Sequence, residues 1–543
     1  MTENSKMTTS EAAPPSQPSQ TVPPQIATNP YVGILAVFMG AGLATLNSRL
    51  LSVGLPDLRG ALGISFDDAS WLPTALNMAT MFSGVFVVFV NAFLGPRRIL
   101  LPTAAIFAAA SFLLPFAPNY QVMLALVIVA GLASGTFYSL TMTFVLTNLP
   151  KRLIIFGIAA YAADIVFVSN IASLLEGWYI DYLSWRWIFW TAALFTPLMM
   201  VCVHFGIPRR TKAEATPSWR GFTYFSLSLA LLYGALDQGQ RLDWLNSGTI
   251  VGMLVAGLFL LGATILRRVV EPNPIVNLKF LNTRNIVILA TSIFVFKFLH
   301  LSTIVLVPGF LANIQHYRAL ETGHTLAWVA LPMFAMVWLV AAIIIYTNSR
   351  LVLVLGLTAC AMCCWLWSHV DTSWSGNSFE IVELLLSLGL AGAYIGLVSS
   401  IVLEALESGA LTSTSNVATF SGFMHLMRIF GGQIGVAVMT RFVAVREQFH
   451  SNMVGLYVQN GSWLTDHRVR MLVGGVLPRS TEGQEEAQHR AAAILGLQVR
   501  AQAYTLATSD GFVLIVWVVI IYLLIMLLLR PGKITFNDLR KMQ

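Results

Sequence analysis

Six ionisable side chains interrupt long apolar runs of this chain. Asp164 lies in AAYAADIVFVSN, and Lys297 lies in FVFKFLH with His300 three residues on. Arg428 lies in FMHLMRIFGG with His425 one turn before it, and Arg49 follows Asn47 in TLNSRLLSV. Inside a bilayer an ionisable group costs a few kcal/mol by insertion scales, so each is a functional candidate by default. The chemistry on offer is the holding of a charged ligand or the carrying of a proton. Lys297 and His300 share roughly one helical face. Plainer readings stand beside these. Arg49 can snorkel to the outer interface, Asp164 can make a structural ion pair or interhelical hydrogen bond, and Arg428 can bond carbonyls. The histidines can be satisfied polar contacts between helices. Glu176 falls near an outer boundary, where an interfacial role is expected. Asn77, Tyr138 and Asn170 are further polar cavity contacts, and Phe294, Phe296 and Phe298 read as packing or lipid-facing.

Enzyme chemistry is not visible. The chain has no phosphate-binding loop, no helical His-Glu-x-x-His pair and no cluster of metal ligands. No cofactor and no metal are expected, and ATP-driven transport has no support. All four cysteines (Cys202, Cys360, Cys363 and Cys364) fall in apolar runs. They read as small packing residues rather than as a disulfide framework or metal site.

The elements that must position these residues follow from composition. The 543 residues are 56% hydrophobic and 10% charged, with mean hydropathy +0.73. Soluble domains carry about 25% charged residues, so this chain cannot cover several soluble domains with a polar surface. A bilayer span takes about 20 apolar residues, and fourteen such spans use a share of the chain close to its hydrophobic fraction. The apolar runs are continuous rather than alternating, which excludes a β-barrel. The fourteen predicted spans are about 32–54, 70–92, 98–116, 121–147, 153–178, 187–207, 220–237, 248–267, 286–312, 325–346, 351–368, 380–402, 415–442 and 510–530. Asp164, Lys297 and Arg428 fall near the middle of spans 5, 9 and 13. Arg49 falls about 9 Å outward of the midplane, at 1.5 Å per residue.

Residues 1–30, with six prolines and nine Ser/Thr, read as a disordered tail. The first apolar run is too long for a signal-peptide core and lacks a basic flank, so it stays as a span. Residues 443–508 are polar, mixed in charge and much longer than ordinary connections. They read as two helices, VAVREQFHSNMVGLYVQ and EEAQHRAAAILGLQVRAQAYTLA, around a Gly/Pro-containing turn.

The net charge of +7 arises from 32 Lys and Arg against 25 Asp and Glu. More than half of the positives fall on one side of the spans, among them Lys6, Arg97, Arg98, Lys151, Arg152, Arg209, Arg210, Lys212, Lys279, Arg350, Arg530 and Lys533. The positive-inside rule then puts both termini in the cytoplasm, with 531–543 as a cytoplasmic tail. The basic excess is a topology signal and not a nucleic-acid footprint. The partners expected are a lipid bilayer and a small-molecule substrate.

Five stretches carry a resemblance: Ser184–Phe189 (SWRWIF), Tyr233–Ser247 (YGALDQGQRLDWLNS), Asn282–Asn285 followed by Pro308–Leu311, Arg428–Gly435 (RIFGGQIG) and Gln502–Phe512 (QAYTLATSDGF). Their order and spacing over about 31–530 resemble the fourteen-span drug:proton antiporters of the major facilitator superfamily, the EmrB/QacA type, of which this is a divergent member. The resemblance implies an all-α polytopic membrane protein. It implies a six-helix bundle at 31–208, an inserted helix pair at 219–268 and a second six-helix bundle at 285–530, with segment 443–508 periplasmic. Substrate would bind near the midplane between bundles that rock to give alternating access. In that architecture spans 1 and 9 line the cavity, and spans 5 and 13 flank the interface. It implies the bacterial inner membrane as location and, for 443–508, docking of a periplasmic adaptor (a membrane fusion protein); a self-contained amphipathic cap is the alternative.

The chain departs from the family where proton coupling is usually located. The first-span acid is replaced in Leu46-Asn47-Ser48-Arg49, because asparagine cannot titrate. The fourth-span arginine position reads Val127. In the loop after span 2, Ala92 and Phe93 fill the Asp-Arg places, and the fifth-span G-P-x-x-G-G reads Ala172–Gly177 with one glycine, which weakens the expected close helix approach. The polar centre would hold Arg49, Lys297 and Arg428 against Asp164, which favours anionic amphiphiles. Were transport proton-coupled, Asp164 would be the first candidate carrier, with His300 or His425 next. Two readings stay open: a secondary transporter exporting small amphiphilic compounds or drugs, and a receptor-like or regulatory membrane protein that keeps the fold without transport.

Overall fold

The computed structural model describes residues 29–208, 219–270, 284–407, 414–459, 461–479, 483–530, 532 and 535–541. The expected tail, apart from Asn29 and Pro30, lies outside the described residues, as do Lys6, Arg209, Arg210, Lys212, Lys279 and Lys533. The same holds for 531, 534, 542 and 543 of the C-terminal tail, and for the side chains of Ala92 and Phe93.

Helix formation begins with the caps. Asn29 accepts a hydrogen bond from the Val32 backbone N–H at 3.4 Å, ahead of a proline that needs no N–H partner. Ser65 caps the next long helix at Asp68, with Asp67 and Asp68 placed where the helix dipole favours acids. Asn119 and Asn348 cap two more. Between such caps the apolar runs form fourteen long helices: α1 (Pro30–Val53), α2 (Phe66–Leu94), α3 (Pro96–Leu113), α4 (Tyr120–Asn148), α5 (Ile154–Trp178), α6 (Trp187–Gly206), α7 (Trp219–Gln238), α8 (Gly248–Val270), α9 (Arg284–Ile314), α10 (Ala319–Tyr346), α11 (Ser349–Trp367), α12 (Gly376–Glu407), α13 (Thr414–Gly455) and α14 (Gln484–Met526). No strand occurs among the described residues. Among the described residues, thirteen helices are long and apolar enough to cross a membrane. The exception is α7, whose Ser226, Ser228, Asp237 and Gln238 dilute its apolar character. It nevertheless packs along both α8 and α2.

The most extensive seam joins α5 to α10. The lost glycines of the fifth span were expected to weaken close approach there, and the structure corrects this. A Cβ on Gly177 would lie 2.4 Å from the Leu320 nitrogen, and one on Gly323 would lie 2.4 Å from the Leu174 Cα. The second glycine comes from the partner helix, so the backbones still meet. Around this seam α1 packs on α4, α5 and α6, while α9 packs on α12, α13 and α14. Helices α2 and α4 also meet α13, and α7 touches it.

Residues 443–508 do not form a separate hairpin. Helices α13 and α14 run on past the expected ends of the last two spans to Gly455 and back to Gln484, with a short helix Trp463–Val476 between them. Apolar side chains support the continuation: Ala487, Ala491 and Ala503 are fully buried. At the inner end, Arg350 pairs with Glu404 at 2.6 Å, and Asn285 donates to the same carboxylate at 2.9 Å. The C-terminal tail contributes a helix, Phe536–Lys541, that packs on α10 and on the turn Lys151–Leu153.

The α5–α10 contact gives a first prediction. Gly323→Val should destabilise the protein by about 1–3 kcal/mol through overpacking, read by denaturant titration in mixed micelles. Gly262→Val, at a position with nothing within 4 Å of its Cβ, should have little effect. Equal stability of the two variants would rule out the tight seam.

Candidate functional site

A cavity of about 360 Å³ lies among α1, α2, α4, α5, α7, α9 and α13. Thr45, Ser48 and Arg49 of α1 line it, with Asn77 and Thr80 of α2, Tyr138 of α4 and Ser169 of α5. Tyr233 and Asp237 of α7, Lys297 of α9, and Arg428 and Gln433 of α13 complete the polar wall. The helical period explains the convergence. Thr45, Ser48 and Arg49 fall at i, i+3 and i+4, and Tyr233 and Asp237 at i and i+4, so each set shares one face.

One group of contacts centres on Asp164. The Tyr138 hydroxyl donates to its Oδ2 at 2.7 Å, and the Thr45 hydroxyl is hydrogen-bonded to Tyr138. The other carboxylate oxygen, Oδ1, is buried without a hydrogen-bond partner, and Gly42 of α1 packs against it, so that a Cβ there would lie 3.0 Å away. The Arg428 guanidinium lies 3.4 Å from the centroid of the Tyr138 ring, a cation–π contact. Tyr138 then packs edge-on to Tyr161, Tyr161 stacks with Tyr394, and Tyr394 meets Phe296 at 4.8 Å between centroids. Lys297 sits 6.0 Å from the Phe296 ring centroid and makes no ion pair within 4.0 Å among the described residues. A second group centres on Asp237, whose carboxylate accepts from the Thr74 hydroxyl and, at 2.7 Å, from the Gln433 amide.

Arg49, Lys297 and Arg428 therefore line one cavity, with Asp164 in direct contact with its wall through Tyr138. Arg49 turns inward beside Ser48 and Tyr233 rather than outward to the interface. Asn47 is buried but does not line the cavity, and its side-chain oxygen has no partner. His300 is buried one turn from Lys297 and stacks on Phe296 at 5.8 Å, away from the cavity wall. His425 is also off the wall: its Nε2 fills the space over Gly84, 2.0 Å from where a Cβ would be, and its ring lies 6.2 Å from Tyr138. Asn77 lines the cavity, whereas Asn170 donates to its own helix at Val166. Glu176 is fully buried beside Gly54 instead of facing the interface. Phe296 and Phe298 are core residues, and Val127 is buried among apolar neighbours.

Tyr233, Asp237 and Gln433 escaped the sequence reading. Both Tyr233 and Asp237 fall inside the predicted span 220–237, where the stretch YGALDQGQRLDWLNS served only as a family resemblance, and their four-residue spacing was the available signal of a shared helix face. Asp237 changes the charge count of the cavity to three fixed cations and two carboxylates.

The profile of the Major Facilitator Superfamily matches residues 37–435. The chain belongs to that superfamily. Within it, the multidrug export protein EmrB of Haemophilus influenzae is 23% identical over 420 residues, covering 77% of this chain and 81% of that protein. The fatty acid resistance protein FarB of Neisseria gonorrhoeae is 24% identical over 429 residues, covering 77% and 80%. The colistin resistance protein EmrB of Acinetobacter baumannii is 22% identical, covering 88% and 91%. Among solved superfamily structures, the proton:xylose symporter XylE matches with TM-score 0.56 at 10% identity, over 94% of this chain and 98% of that one. The human organic anion transporter MFSD10 matches with TM-score 0.53 at 14% identity, over 90% and 99%. These structures share the superfamily fold, and the chain is homologous, at low identity, to multidrug and fatty acid export proteins.

Within this superfamily fold the Tyr138 hydroxyl is the strongest donor serving Asp164. Tyr138→Phe should leave a buried carboxylate under-satisfied and destabilise the protein by about 1–3 kcal/mol. The check is denaturant titration in mixed micelles; unchanged stability would show that Asp164 is satisfied otherwise.

Proposed function

We propose that this protein is a secondary transporter that exports small amphiphilic compounds, with a preference for anionic ones. Substrate occupies the charged cavity, and access alternates between the two sides of the bacterial inner membrane. The observation that carries the reading is the meeting of Arg49, Lys297 and Arg428 in one cavity, where fixed cations outnumber carboxylates. Opposite charge held in a low-dielectric cavity favours an anion and repels a cation. Kinship with a fatty acid resistance protein and with multidrug export proteins points to amphiphiles as the cargo. The protein acts as a carrier and not as an enzyme.

The cavity lies between helices that we assign to two bundles, 31–208 and 285–530, with the pair at 219–268 inserted between them. Both termini are cytoplasmic in this reading, which agrees with the basic residues Arg97, Arg350 and Arg530 at one end of the bundle. Proton coupling, if it drives the flux, runs through Asp164, because Asn47 has removed the first-span acid. His300 and His425 are the next carriers to test. At the other end, the short helix Trp463–Val476 presents Trp463 and Leu464, 68% and 71% exposed. Exposed apolar residues on that scale mark interaction surfaces, and we assign this one to a periplasmic adaptor.

In proteoliposomes, the wild-type protein should move dodecanoate faster than ethidium. Lys297→Ala should lower dodecanoate flux about tenfold, the factor that 1.4 kcal/mol of lost attraction gives, and leave ethidium flux within about twofold. Ethidium export as fast as dodecanoate export, or dodecanoate flux unchanged by Lys297→Ala, would sink the anionic preference, and no flux under any gradient would favour a receptor-like protein instead.

The adaptor assignment is checked by co-purification. Replacing Trp463 and Leu464 with aspartate should strip the adaptor from the transporter while dodecanoate flux in proteoliposomes persists. Unchanged adaptor recovery would reject the docking role.

A further inference from the structure

The inserted helix α7 ends in a well-anchored turn. The Gln238 amide donates to the Ser70 carbonyl at 3.0 Å and to the Thr74 hydroxyl at 2.5 Å. Arg241 reaches back to Gln238 and pairs with Asp67. This anchoring fixes α7 on α2 and presents Asp237 to the cavity on a rigid element. The carboxylate of Asp237 receives two hydrogen bonds, both from neutral groups: Thr74 of α2 and Gln433 of α13. A carboxylate offers about four lone-pair sites, so about half of its accepting capacity remains for the cavity. No Lys, Arg or His lies within 4.0 Å of it among the described residues, since the adjacent Arg241 is committed to Asp67. Asp164, the other acid, is held between helices and reached through Tyr138 and Thr45.

We propose that α7 supplies a second ligand subsite, in which Asp237 accepts a hydrogen bond from an ammonium or hydroxyl group of a substrate whose acid end lies against Lys297 and Arg428. The inference rests on the anionic-amphiphile reading above. It narrows the cargo to amphiphiles that carry both an acid and a hydrogen-bond donor. It also gives the inserted pair a function: α7 contributes a wall of the binding site. An ammonium has three donors, and charge-assisted bonds to a carboxylate are about twice as strong as neutral ones. Such a ligand also competes with Gln433 for Asp237, so binding bears directly on the polar contact that joins α7 to α13.

The experiment measures binding to the full-length protein in nanodiscs, using matched pairs: hexanoate with 6-aminohexanoate, octanoate with 8-aminooctanoate, and dodecanoate with 12-aminododecanoate. In the wild type, at least one amino acid of the series should bind more tightly than its plain partner. Asp237→Asn should weaken that amino ligand about tenfold and leave the plain fatty acid within about twofold. Asp237→Glu, which restores the carboxylate, should recover the preference. Lys297→Ala should weaken both members of every pair. Equal losses for both members on Asp237→Asn, or no preference for any amino ligand in the wild type, would overturn the subsite. Should Asp237→Asn fail to fold, Gln433→Ala gives the answer. It frees one accepting site on Asp237 and should raise the preference about threefold, and an unchanged ratio counts against the subsite. Failure of every plain fatty acid to bind the wild type would instead overturn the anionic reading, and an amino ligand that still binds through Asp237 would leave the subsite standing.

Discussion

Charge buried in an apolar bundle has to be neutralised, hydrogen-bonded or wetted, and the interior of this protein is arranged around that requirement. Asp164 and Arg428 stand on different helices, yet Tyr138 serves both: its hydroxyl donates to the acid and its ring faces the guanidinium. The tyrosine thus does the work of a salt bridge at longer range, without the full desolvation cost of bringing two ions into contact. Tyr161, Tyr394 and Phe296 extend that arrangement across α5, α12 and α9. Helices from both ends of the chain are therefore held in register by one aromatic and charged cluster. The glycine contacts of α5 and α10 then bring the surrounding backbones together.

Much of this architecture was legible in the chain. Apolar runs of about 20 residues give spans almost directly, because in lipid a helix satisfies its own backbone. The meeting of Arg49, Lys297 and Arg428 was implied by the family resemblance, which puts spans 1 and 9 on the cavity and span 13 at its flank. The limits are equally physical. Gly177 alone could not reveal the α5–α10 seam, because its partner Gly323 lies far along the chain. The two histidines looked functional by depth, but depth does not fix rotation about the helix axis, and both face away from the cavity. Asp237 was hidden because it falls at the last residue of the predicted span 220–237, where a charge reads as the polar end of a helix.

The same reasoning explains why the outer segment looked like a separate domain. A helix that leaves the bilayer changes composition at the interface without changing its hydrogen-bonding pattern. Hydropathy therefore bounds the last two predicted spans at 442 and 510, while α13 runs on to Gly455 and α14 begins at Gln484. Their alanine-rich contacts, Ala487, Ala491 and Ala503, are compatible with close packing of helices, and the long rigid stalk holds the exposed Trp463 and Leu464 at its far tip.

The divergent motifs now form a consistent set. Asn47 withdraws a carboxylate from α1, and Val127 withdraws a cation from α4; each loss alone would strand a charge, and the two together do not. Asp237 brings a carboxylate to the cavity from α7, and the fixed cations stand on α1, α9 and α13. Asp237 and Asp164 stand on different helices, the first receiving Thr74 and Gln433 and the second Tyr138. A site with charge divided in this way discriminates by the arrangement of charge on a ligand as well as by its sign, since a misplaced group meets either a like charge or an unfilled polar partner.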